Sequence, residues 1–550
     1  MPWSFIGIIL ILIFVWYYIR SFRHPKYFPP GPKLPLPLIG DAYLLGKDFS
    51  SGFSALVRKY GKTVGLWLGS NRAVLVTDFN TLQDILNLHE TADRGGMFEI
   101  KQQGILTFYK TFYTFNNFYF FITFYLALVT LVWTLVLPFL CIEIVRGGLS
   151  HGEVPGVIFS NDKTWIESRR TSLHILRDFG YGKNTMKEMI DDEVNNLIRH
   201  IDDHWINTPL NISQFFQISI LSSLWRIISG ESLNINDAKL TKLCKLVEIG
   251  LVETGDPLFK LSQKSITLFK FLNKIGVYQN FEVMKAIFEY CKDAMESCKQ
   301  QNIDGDNPLS FIEAMLHKIQ NNTDATSPLH GEVGELNLIS ILVDFFFAGS
   351  DTTSASLNWA MMFMITHPDV QTKVREELIH AKLSDQDQTP YTDAVIHEIT
   401  RRGNIGPTAL FHQTNKSLKI QQFWIPSKTL IVPMIGEVMH DPEHFPNPMQ
   451  FNPNRYLTKN DDDSLKFTPH PRVIPFGVGR RRCLGENLAK TSLYQFFTAI
   501  ILKYEIISGQ DEPILELPTC GIVKYPQPYK LKFVKLFSEK REWLQTKQPF

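Results

Sequence analysis

Cysteine is scarce: six residues in 550, at Cys141, Cys244, Cys291, Cys298, Cys483 and Cys520. Their scatter provides neither a disulfide framework nor a Cys-x-x-Cys zinc pair, and it fits a reducing compartment. Net charge is also lacking. Fifty-six basic side chains against 55 acidic ones leave +1, so no broad basic field recruits nucleic acid. There is no internal repeat and no nicotinamide- or flavin-binding motif. From Thr111 to Ile142 there is no charged residue at all. What the chain does have is apolar content, 44%, enough for a large core.

One apolar run opens the chain. Trp3 to Ile19 falls within the roughly 17–25 residues that a membrane span tolerates. It lacks the basic start and small-residue exit of a cleaved signal peptide, so residues 1–22 read as an uncleaved transmembrane anchor. Arg20, Arg23 and Lys26 follow it and place the rest of the chain in the cytosol by the positive-inside rule. Sequons at Asn211, Asn321 and Asn415 would then never meet the glycosylation machinery. Residues 23–40 carry the run Pro29-Pro-Gly-Pro-Lys-Leu-Pro-Leu-Pro37. That run cannot continue a helix and reads as a stiff, extended hinge.

Beyond the hinge, helix dominates, with small sheets. Val64 to Thr77 has strand signals on either side of Gly69, Ser70 and Asn71, which predict a hairpin turn. Met186 to Ile201 repeats its apolar positions at helical spacing, and helical patterns recur through 238–300 and 336–380. Short strand-like pieces return at 418–433 and near 504–534.

The chemistry centres on Cys483, in Phe476-Gly-Val-Gly-Arg-Arg-Arg-Cys-Leu-Gly485. A cysteine thiolate is a strong, electron-donating ligand for haem iron. It must stay ionised, so cations and backbone N–H groups belong around it. Gly477, Gly479 and Gly485 let the backbone turn sharply and pass close to a flat cofactor. Arg481 offers a cation, which haem propionates require.

Phe476, Gly479, Arg481, Cys483 and Gly485 fill every fixed position of Phe-x-x-Gly-x-Arg-x-Cys-x-Gly, and the segment resembles the haem-binding signature of the cytochrome P-450 family. Ala348-Gly-Ser-Asp-Thr-Thr353 lies in a helical run from Leu336 to Ile365 and resembles that family's oxygen-binding helix. A glycine there is kept for close approach or local distortion, and Thr352 can bond the Ala348 carbonyl and loosen the helix. The resemblance assigns Asp351 and Thr352 to oxygen activation and proton delivery. Glu398-Ile-Thr-Arg401 places its two charges on one helical face. With Arg455 of Phe451-Asn-Pro-Asn-Arg455, the resemblance makes it a buried structural network of Glu398, Arg401 and Arg455. Trp165 and Arg169 match Trp-x-x-x-Arg, whose members reach a propionate, with Arg170 competing for the second place. His412 is open between a propionate donor and a plain polar contact.

The family implies a mainly α fold with small β-sheets, haem b with Cys483 as the axial ligand, and a catalytic domain spanning 41–550. It implies an endoplasmic-reticulum monooxygenase that inserts one atom of O2 into a lipophilic substrate, by hydroxylation or epoxidation. Electrons would come from NADPH-cytochrome P-450 reductase, with cytochrome b5 as a possible second donor, and basic residues on the Cys483 side would form the docking surface. Phe159-Ser-Asn-Asp-Lys-Thr-Trp165 and Leu176-Arg-Asp-Phe-Gly-Tyr-Gly182 resemble arthropod members of the microsomal clan that also holds vertebrate drug-metabolising enzymes. Rival readings are a haem-thiolate isomerase or dehydratase, which would not need the Asp351–Thr352 pair, a non-catalytic haem protein, and a misassembled product.

That last rival arises from the uncharged stretch. Phe118 to Leu137 alone could span a bilayer, yet a single span there would divide one domain across a membrane. Family members cross from a region like Ala92-Asp93-Arg94 to one like Gly156-Val-Ile-Phe159 by a much shorter loop. Residues 102–145 therefore read as an insertion. A translated intron, a membrane-dipping loop and a buried hairpin about Pro138 are the alternatives.

Overall fold

The computed structural model describes residues 24–94, 155–247, 280–300, 308–384 and 388–536, apart from positions 34, 37–39, 47, 70, 235, 238–239 and 246. The anchor at 1–22, the insertion at 102–145 and part of the hinge lie outside the described residues. Helices follow in the order α1 Phe49–Tyr60, α2 Phe79–Asn87, α3 Asp162–Asp178, α4 Asn184–His204, α5 Gln217–Ser229, α6 Asn280–Lys299 and α7 Phe311–Gln320. Then come α8 Gly331–Thr366, α9 Pro368–Ser384, α10 Pro390–Gly403, α11 Ile435–Met439 and α12 Glu486–Lys503.

Helix α8 organises the core. It is apolar on all sides, and a helix of that kind must be buried or lie in a membrane. It is long and apolar enough to cross a bilayer, yet 67% of its apolar window is buried in the protein. Helices α5, α6, α7, α10 and α12 pack around it, and Leu338, Ile341, Leu342, Phe346, Leu357 and Phe363 on it are fully enclosed. Shorter helices start where side chains satisfy free backbone N–H groups. Asp48 accepts from Ser51 N ahead of α1, Asp78 from Thr81 N ahead of α2, and Ser310 from Glu313 N ahead of α7.

The strands are β1 Thr63–Leu68, β2 Asn71–Val76, β3 Leu210–Asn211, β4 His412–Gln413, β5 Leu418–Ile420, β6 Phe423–Ile425, β7 Leu430–Pro433, β8 Leu457–Lys459, β9 Leu465–Phe467, β10 Tyr504–Ser508 and β11 Lys530–Lys535. The main sheet runs β1-β2-β7-β4. Strands β1 and β2 form the expected hairpin, although Asn71 already pairs with Leu68, so the turn is one residue tighter than read. Strand β2 then runs parallel to β7, Ala73 opposite Leu430 and Val76 opposite Pro433. Val74, Leu75, Val76, Ile431 and Val432 are wholly buried, the continuous apolar run expected of strands covered on both faces. This sheet ties the segment before residue 95 to the C-terminal half.

A second tie closes at the segment's end. Arg94 N donates to Asn161 Oδ1 at 2.7 Å, and Asn161 Nδ2 donates back to Arg94 O at 3.3 Å. The two chain ends flanking residues 95–154 therefore clasp each other directly.

Candidate active site

The Cys483 loop is strapped to α2. Arg480 N donates to Leu86 O, and Cys483 N donates to Phe476 O, both at 3.0 Å. Gly479 sits at φ +79°, and a Cβ there would lie 2.2 Å from Leu86 O, so both backbone conformation and packing require glycine. Gly485 differs: it has φ −84° and forms the cap of α12. A Cβ on it would lie 3.9 Å from Cys483 Sγ, an ordinary contact distance, so the sharp turn expected at this glycine is not what the backbone shows. Cys483 precedes the first turn of α12, where the helix dipole favours an anion. Its side chain is accessible, although protein crowds it on most sides. Burial pushes the thiol up; the Gly485 amide, Arg169 and Arg482 pull it back toward the thiolate, and Glu486 opposes them. Phe476, half-buried, lies under the Lys490 ammonium, 5.6 Å from ring centre to nitrogen.

Three guanidiniums converge near this loop. Arg481 donates to Ala92 O at 2.7 Å and Ser160 O at 2.6 Å, and it stacks 3.9 Å over the Trp165 ring. Arg94 donates to Leu410 O at 2.7 Å, and Arg169 to Arg482 O at 2.6 Å. Among the described residues no carboxylate makes an ion pair with any of the three. Burial, then Arg169, presses Arg94 down to about 9; burial, then Arg94, presses Arg481 down to about 8. A guanidinium keeps its proton in proteins; Asp93 and Asp162 offset part of the crowding of positive charge at Arg481. Trp165 Nε1 is buried and has no hydrogen-bond partner. His412, 3% exposed, holds Thr91 O through Nδ1 at 2.8 Å, and burial and Arg94 keep its pKa well below the usual imidazole value. Arg170 is exposed on α3 and leaves the cluster to Arg169.

Arg94 was not among the expected site residues. Nothing in its spacing marks it, because its neighbours come from Ile158, Leu410 and Phe411, far along the chain.

On α8, Thr352 Oγ1 donates to Ala348 O at 2.9 Å, as expected. The expected loosening does not accompany it: α8 is unbroken from Gly331 to Thr366. The glycine has another cause. A Cβ on Gly349 would lie 2.3 Å from Leu224 Cδ2, so α5 packs against α8 there with the Leu224 side chain laid over the glycine. Asp351 is wholly buried and accepts from Gln217 Nε2 of α5 at 2.6 Å.

Helix α10 and the Phe451–Tyr456 segment meet at Glu398. Arg401 grips it through two bonds of 2.7 Å each, and Arg455 Nε lies 3.5 Å from Oε1. Two groups that the sequence did not single out complete the network: Tyr456 OH donates to Glu398 at 2.6 Å and Asn452 N at 3.0 Å.

A cysteine at a helix start, beside a buried Arg481 and half-buried Arg94 and Arg169 that no carboxylate pairs among the described residues, is the geometry of a thiolate ligand with an anionic neighbour. The family model for cytochrome P450 matches residues 146–533. The chain belongs to the cytochrome P450 family. It is 28% identical to cytochrome P450 2B19 of Mus musculus over 534 residues, covering 94% of this chain and 96% of that one. It is 28% identical to cytochrome P450 2C23 of Rattus norvegicus, covering 96% of each. Cytochrome P450 2C20 of Macaca fascicularis is 27% identical, with 96% of this chain and 99% of that one covered. These are P450 monooxygenase homologues, and the chain is an oxidoreductase of that class. The family implies a haem-thiolate cofactor, and the residues present fit one. The Trp165 N–H and the three guanidiniums supply donors for two carboxylates, and Cys483 supplies the sulfur.

Proposed function

We propose that this chain is a microsomal haem-thiolate monooxygenase that inserts one atom of O2 into a lipophilic substrate. The observation that carries the reading is the placement of Cys483 ahead of α12, with Arg169 and Arg482 favouring its thiolate. Haem b, when bound, supplies the oxygen-activating iron. Cys483 would be its axial ligand. Arg94, Arg169, Arg481, Trp165 and His412 would hold its propionates. Phe476, Gly479 and Gly485 shape the ligand loop, and Glu398, Arg401 and Arg455 lock the core beneath it. Asp351 and Thr352 would deliver protons on the substrate side.

Electrons would come from an NADPH-dependent reductase, and from cytochrome b5 as a second donor. Arg480, Arg482 and Lys490 are exposed near the ligand loop and offer it a basic face. The apolar run at 3–19 supports an endoplasmic-reticulum anchor with the catalytic domain in the cytosol. Residues 102–145 are an insertion in this reading, supported by the family match beginning at residue 146 and by the Arg94–Asn161 clasp. The test is the reduced, carbon-monoxide-bound absorption spectrum of the full chain and of a version lacking 102–145. A thiolate-type band in at least one is expected; its absence from both would defeat the reading. Product formation that needs no NADPH or reductase would favour an isomerase instead.

A further inference from the structure

Asp351 lies within α8, and its carboxyl is closed from solvent. A neutral amide, Gln217 Nε2, donates to its Oδ1 at 2.6 Å. Gln217 is itself 1% exposed, and its own carbonyl, Oε1, is buried without a hydrogen-bond partner. A buried orphan acceptor is costly, so its retention beside a carboxyl asks for a reason. The two ends of an amide offer one. The N–H end serves an ionised carboxylate, and the C=O end serves a protonated acid, so a half-turn of one side chain matches either state. A lysine or arginine in the same place would hold the acid ionised.

We propose that Gln217 is a positioning residue for Asp351, presenting its N–H to the carboxylate and its orphan carbonyl to the carboxylic acid. The inference rests on the monooxygenase reading, under which Asp351 relays protons and must pass through both forms. Leu224, two turns further along α5, packs against Gly349, so the same face of α5 that carries Gln217 lies on α8. Cys244 is another titratable group near Asp351, and its thiol is pushed up to about 12 by burial and then by the Asp351 charge.

Two experiments test this on the full-length protein. The first needs no turnover. Urea unfolding is measured for Gln217→Leu, Asp351→Leu and the double variant. Each single change strands a buried partner, whereas removing both does not. The double variant should therefore unfold at a higher urea concentration than the sum of the two single shifts gives. Strictly additive shifts would overturn the pairing.

The second reads product formed per NADPH with reductase present. Gln217→Leu should lose coupling several-fold, with the lost electrons appearing as peroxide. Its carbon-monoxide band and its substrate-binding spectrum should stay unchanged. Gln217→Glu sets two carboxyls side by side, which share one proton and repel when both ionise. Its coupling should recover in acid and fail in alkali, a pH profile that the wild type lacks. Wild-type coupling and pH profile in both variants would overturn the role. If the wild type makes no product at all, the monooxygenase reading falls together with the relay, and the unfolding cycle alone still decides whether the pair exists.

Discussion

Glu398→Ala would strand Arg401, a guanidinium with no exposed surface, against Phe445 and the Met439 and Pro448 carbonyls. Breaking one side of a buried pair costs about 3–5 kcal/mol. We expect mostly haem-free or unstable protein, read by thermal unfolding and the haem-to-protein ratio; a loss under about 1 kcal/mol would contradict the network. Arg94→Ala should fold yet retain haem poorly, because it removes one of three charges gathered for an anion. Equal haem content in Arg94→Ala and wild type would remove Arg94 from the cradle. Residues that share one helical face were legible beforehand: Glu398 and Arg401 are one helical turn apart and bond each other, and Trp165 and Arg169 are one turn apart on α3. Arg94, Tyr456 and Gln217 were not, since each acts on a partner dozens to hundreds of positions away. No local spacing encodes such a meeting.

At the scale of elements, the contact between α5 and α8 invites a steric test. Gly349→Val forces side-chain atoms onto Leu224 and adds a β-branched residue to a helix. Overpacking of this kind costs about 1–3 kcal/mol. Adding Leu224→Ala should return part of that loss, measured as the unfolding midpoint of the double variant. No recovery would mean that the glycine serves something other than this contact. The β1–β2 hairpin, α4, α8 and the C-terminal strands followed from their periodicity. The parallel pairing of β2 with β7 did not, because 353 residues lie between Val76 and Leu430 and each strand alone reads only as apolar. The unbroken run of α8 was equally hidden: a threonine bonded to the turn before it occurs in interrupted and continuous helices alike.

The whole molecule should be sensitive to acid. Burial holds His24, His397 and His440 down to about 4 and His412 well below the usual imidazole value, against about 6.5 when unfolded. Between those values the unfolded chain binds more protons, so stability present above pH 6.5 is lost as pH falls toward 4. Asp393, raised to about 6 by burial and Glu377, opposes this by one proton. The depressed imidazoles outnumber it, so the net effect is a loss of stability as pH falls from about 6.5 toward 4. Urea midpoints taken between pH 4.5 and 7 should show it; a flat profile would mean that these imidazoles are hydrated in solution.

The Arg94–Asn161 clasp also sets the entropic cost of whatever lies between its ends. Sixty-six residues separate the two partners, against 22 without the segment 102–145. Closing a chain three times longer costs only about 1 kcal/mol more, since the penalty grows with the logarithm of length. An extra exon-sized segment at this neck is therefore cheap for the folded state. Any harm it does must come from where its phenylalanines and tyrosines bind, and a detergent or membrane that receives them should restore the protein as effectively as deleting them.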